Sequence, residues 1–128
     1  MKIQIEFFKN DFLKAINDGV YEIYVEKNGK SASLYIGESV QVMVRCASHL
    51  YDLAKEPEQF GFTDETINDP EIKLVFHLLE GNEQKSTRRR SELQAIKGSR
   101  PLLQTGINDH VKRINAKIEA LSQFLGEC

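Results

Sequence analysis

Two tyrosine–glycine clusters stand on either side of an Asn28-Gly29 pair: Gly19-Val20-Tyr21 and Tyr35-Ile36-Gly37. Arg45 and His49 follow at the spacing of one helical turn, and Glu92 comes just after Arg88-Arg89-Arg90. These residue types suit chemistry on a phosphate. A guanidinium grips phosphate through paired N–H donors, a geometry lysine does not reproduce. A single carboxylate is enough for one hard divalent cation such as Mg²⁺, or Mn²⁺ in its place, because that ion keeps most of its waters and takes further oxygens from the phosphate. A histidine with a reference pKa of about 6.5 is the easier base. A tyrosine, at about 10, orders a water but needs a cation nearby to accept a proton.

Each residue also has a structural role available. The tyrosines suit cross-strand packing, Arg45 and His49 suit an exposed helix face, and Glu92 can pair with Arg88 at i,i+4 for tenths of a kcal/mol. The choice therefore rests on the set, and on the elements that position it.

Asn28-Gly29 between alternating apolar runs predicts a hairpin with strands at about 20–27 and 32–37. An extended start (Ile3–Phe8) and a short helix ending at Gly19 precede it. A helix from Ser39 to about Lys55 is expected, with Met43, Ala47, Leu50 and Ala54 as its apolar face and Arg45, Ser48, His49 and Asp52 on another. Residues 56–71 show no periodicity and read as a long loop pinned by Phe60, Phe62 and Ile67. IKLVFHLLE (72–80) reads as a central strand covered on both faces, with His77 a hydrogen-bonded core histidine. A helix over 84–97 follows. Ile107, Val111, Ile114, Ile118, Leu121 and Leu125 then form an apolar stripe on an amphipathic helix over 107–125, for core packing or, alternatively, a homodimer seam.

The bulk properties bound these readings. The chain's 128 residues suit one domain, and 41% hydrophobic with 28% charged residues is an ordinary globular composition. No apolar run reaches the length of a bilayer span, and MKIQIEFFKND lacks the features of a secretion signal, so a cytoplasmic protein without membrane partners is expected. Cys46 and Cys128 have no zinc-type spacing. Net charge is −2, yet 56–71 carry six acids and no Lys or Arg, while 85–100 carry six bases against Glu92 alone. On charge alone that asymmetry reads as two solvated faces, the alternative being one anion-binding face on an acidic molecule.

In order and spacing, these residues resemble the GIY-YIG endonuclease superfamily over roughly 19–105. Gly19-Val20-Tyr21 matches the first half-motif with Val for Ile, and Tyr35-Ile36-Gly37 matches the second. Arg45 with His49 matches the helix that follows. Glu92, Ile96, Lys97 and Pro101 match a later pattern that ends in Gln104, where the family usually has Asn. The resemblance implies an α+β fold, a small three-stranded, mainly antiparallel sheet flanked by helices in a single domain, and metal-dependent hydrolysis of DNA phosphodiester bonds. RNA stays open as a substrate. Catalytic roles fall on Tyr21, Tyr35, Arg45, His49 and Glu92, with Tyr21 ahead of His49 as base and Glu92 as metal ligand. Arg88, Arg89, Arg90, Lys97 and Gln104 are expected to hold nucleic acid. The alternative is a weakly active or inactive nucleic-acid-binding or protein-interaction module on the same fold.

The hairpin sets a physical condition on this scheme. A two-residue turn at Asn28-Gly29 pairs residues whose numbers sum to 57, so Tyr35 faces Glu22 and Tyr21 faces Ile36. The two tyrosines then point to opposite faces. One site requires both, so a bulge or a longer loop is expected within NGKSA (28–32).

Overall fold

A computed structural model describes residues 1–81, 84–104 and 114–128. In chain order its elements are β1 (Gln4–Phe7), α1 (Phe12–Ala15), β2 (Gly19–Lys27), β3 (Lys30–Ser39), α2 (Val42–Lys55), β4 (Lys73–Gly81), α3 (Lys85–Ser99) and α4 (Ile114–Gly126). The fold is α+β in one small domain. Its sheet has four strands in the order β1-β4-β2-β3, rather than the three expected. The addition is the extended start, where Gln4–Phe7 pairs in parallel with β4 from Lys73 to Phe76. Four residues without a turn signal carry no local mark of such a pairing.

β2 and β3 close at Asn28 and Gly29, both with positive φ (52° and 78°), so the two-residue turn forms as predicted. From Lys27↔Lys30 to Tyr24↔Ser33 the pairs sum to 57. Leu34 is then extra, and the ladder resumes as Ile23↔Tyr35 and Tyr21↔Gly37. The expected break in alternation exists, but at Leu34 rather than within 28–32. Tyr21, Ile23 and Tyr35 consequently share a face.

That face is the core. Tyr21, Ile23, Val25, Leu74 and Phe76 are buried in it, together with Phe60 and Phe62 from the 56–71 segment. The segment is pinned as expected, and it folds into two short 3-10 turns at Pro57–Phe60 and Thr66–Asn68. α4 buries Leu121 and Leu125 in the same core. Gly61, at φ +85°, lets the backbone pass so close to the Lys117 carbonyl that any Cβ there would collide. Leu121 and Leu125 of the apolar stripe thus serve the chain's own core, Ile114 and Ile118 are half-buried, and Ile107 and Val111 lie outside the described residues. No helix among the described residues is long and apolar enough to cross a membrane.

The opposite face of the sheet is only partly covered. His77 is half-buried there, not enclosed, and its Nε2 lies 2.6 Å from Glu22 Oε1 with Tyr24 edge-on to the ring. His77 therefore belongs to a different face from the two site tyrosines.

Candidate active site

Tyr21 stands on β2 directly across from Gly37 on β3. A Cβ at Gly37 would collide with the Tyr21 hydroxyl and ring, so the second glycine of the paired motif is the space in which the phenol lies. The ring of Tyr35 is 6.2 Å from that of Tyr21, centroid to centroid.

α2 delivers the next two residues. Its buried positions are Val42, Cys46, His49 and Leu53, one residue out of phase with the predicted apolar face. His49 consequently points inward. Its Nε2 is 2.9 Å from the Tyr21 hydroxyl, and its ring contacts Tyr35 (5.6 Å) and Phe60 (6.3 Å). Nδ1 is buried and has no hydrogen-bond partner among the described residues. Burial, helped by the positive charge of Arg45, pushes the imidazole pKa down to about 4, so the ring is neutral at pH 7.

Arg45 stays exposed on the outer side of the same helix turn. Its charge and hydrogen bonding favour an ionised Tyr21. Burial outweighs that effect, and the Tyr21 hydroxyl is held neutral with its pKa well above the ordinary value. Tyr35 is half-buried. Desolvation raises its pKa most, Arg45 lowers it, and the Glu92 carboxylate raises it. Tyr35 therefore feels both the cation from α2 and the carboxylate from α3. Cys46, beside them, packs as a buried thiol pushed upward in pKa by desolvation.

Glu92 comes to the end of β3 and accepts a hydrogen bond from the Glu38 backbone N–H. Partial burial raises its pKa first, and the neighbouring Glu38 charge raises it further. No group of three or more metal-ligating side chains occurs among the described residues. The donor set suits a cation that needs one protein carboxylate: Glu92 supplies a hard oxygen beside a second negative charge, which bound positive charge would relieve.

The expected nucleic-acid contacts divide. Arg89 is 62% exposed, and Arg90 and Lys97 are also exposed. Arg88 departs from expectation: only 2% exposed, it donates from Nε to Glu38 at 3.0 Å and lies 3.7 Å from Asp18. A buried guanidinium between two carboxylates joins α3 to β3 and to the residue just before β2 instead of facing a ligand. Gln104 departs as well, because its amide is engaged with the Ile36 backbone in both directions.

Sequence reasoning missed Glu38, Asp18 and the pairing of Gly37 with Tyr21. The pairing of Tyr21 with Gly37 becomes visible only once Leu34 is known to be extra. No protein-family model, curated protein or solved structure matches this chain.

Proposed function

We propose that this chain is a metal-dependent endonuclease of the GIY-YIG kind, hydrolysing DNA phosphodiester bonds. What supports the reading is that Tyr35, its ring 6.2 Å from that of Tyr21, feels both the Arg45 cation and the Glu92 carboxylate. In this reading Arg45 is the phosphate-gripping cation and Glu92 the metal-holding carboxylate.

In this scheme exposed Arg45 holds the scissile phosphate, and Tyr35 orients the attacking water. Glu92 would hold a divalent cation, which would supply charge neutralisation for the phosphate and for the departing oxygen. Tyr21 is neutral, so it does not begin as a phenolate base. Its oxygen takes the water's proton as its own O–H proton passes to His49 Nε2, while the water oxygen bonds to phosphorus and the P–O bond to the leaving oxygen breaks. The imidazolium, disfavoured by burial and Arg45, then gives its proton up to solvent, from which the departing oxygen takes one. Arg89, Arg90 and Lys97 hold the strand backbone.

A second reading, a nucleic-acid-binding module without turnover, draws on the 1% exposure of Tyr21. Labelled duplex DNA, single-stranded DNA and RNA, each incubated with Mg²⁺, separate the two. The endonuclease reading expects DNA cleavage that falls about a hundredfold in Arg45→Lys. Binding without product on all three nucleic acids favours the second reading.

A further inference from the structure

Ser33 and Leu34 present two successive carbonyls to the outer edge of β3. Successive carbonyls of a regular strand point to opposite edges, and the extra residue breaks that alternation. The chain after α3 takes both. Leu102 N–H donates to Ser33 O at 2.9 Å, and Leu103 N–H donates to Leu34 O at 2.7 Å. The Gln104 side chain then acts on Ile36 as a neighbouring peptide would. Its Oε1 accepts from Ile36 N–H at 3.0 Å, and its Nε2 donates to Ile36 O at 2.9 Å. Tyr35 lies between the two attachments.

The hairpin turn favours a different outcome. Continued without interruption, the Asn28-Gly29 ladder pairs Tyr35 with Glu22 and turns its ring away from Tyr21. The observed ladder pairs Tyr35 with Ile23. Nothing local to the turn selects that register, so the selection comes from tertiary contacts, namely burial of Leu34 and the edge bonds to 102–104.

We propose that Leu102–Gln104 is a register latch and that Gln104 is a positioning residue, acting through Ile36 to hold the Tyr35 ring on the Tyr21 face. An anchor without this role would stabilise the fold and leave the ring's position unchanged on removal. What the ring is positioned for rests on the endonuclease reading. The register itself does not.

The test compares Gln104→Met and Gln104→Glu with the unaltered chain by NMR. Met keeps the length without either polar group, and Glu replaces the donor with a charge facing the Ile36 carbonyl. Both variants are expected to lose the ring-to-ring NOEs of Tyr35 with Tyr21 and His49, and to exchange the Ile36 amide about tenfold faster or more. Where cleavage is measurable, kcat should fall while KM holds. Folded variants that keep the NOEs would overturn the proposal, whether or not the protein cuts DNA. If neither variant folds, native-state hydrogen exchange on the unaltered chain decides. Ile36, Leu102 and Leu103 amides should open as one unit, and unprotected Leu102 and Leu103 beside a slow Ile36 would overturn the latch.

Discussion

Tyr21 and Tyr35 lie with ring centroids 6.2 Å apart on one face of the sheet, although the turn that joins their strands would by itself set them on opposite faces. One inserted residue, Leu34, makes the difference. The arrangement leaves Tyr21 in a slot bounded by Gly37 and His49, and each boundary gives a measurable consequence.

Gly37→Ala places a methyl group where the Tyr21 hydroxyl and ring now sit. Overpacking of this kind costs about 1–3 kcal/mol. The expected result in urea denaturation is a loss of that size, recovered in part when Tyr21→Ala is added. Equal effects of Gly37→Ala with and without the phenol would show that the slot is not set by Tyr21.

His49 makes stability depend on pH with a defined sign. Its folded pKa lies at about 4, below the ordinary 6.5, so the unfolded chain binds a proton that the native chain does not. Stability linked to this group is fully present above pH 6.5 and is lost as pH falls toward about 4, by about 3 kcal/mol in all. Urea midpoints measured from pH 8 to 4 should fall more steeply for the unaltered chain than for His49→Gln. Parallel curves would mean that His49 titrates normally.

Much of this was legible in the sequence, and the misses share a cause. The hairpin turn, the α2 and α3 helices and the order of the candidate site residues follow from local patterns. The α2 face came out one residue out of phase because His49 counts as polar until Tyr21 supplies its partner. Strand β1 is recognised by β4 alone, from almost seventy residues away. Leu34 looks like any strand leucine; its status as an extra residue depends on Leu102 and Leu103. Arg88 is indistinguishable from Arg89 and Arg90 in a run of three, and only Asp18 and Glu38 set it apart. Contacts distant in sequence decided each of these.

The arginine run consequently divides by experiment. Arg88→Met takes the buried cation from Asp18 and Glu38 and is expected to destabilise the fold by about 3 kcal/mol, at the low end for a broken buried pair because both carboxylates keep some solvent and Glu38 keeps Arg89 at 4.0 Å. Arg89→Ala and Arg90→Ala should change stability by less than about 0.5 kcal/mol. Each should instead reduce the salt dependence of DNA binding by about one phosphate contact. Denaturation and binding across a salt series read the two effects separately; equal destabilisation by all three would contradict the burial of Arg88.

The central claim is that Tyr21, Tyr35, Arg45 and Glu92 form one phosphodiester-cleaving site, and supercoiled plasmid tests it most directly. With Mg²⁺, the unaltered chain should nick or linearise the plasmid, while Glu92→Ala and Tyr21→Phe, checked to be folded, should be slower by about a hundredfold or more. An unaltered chain as inert as Glu92→Ala across DNA substrates and both Mg²⁺ and Mn²⁺, or variants that cut as fast as the unaltered chain, would contradict it.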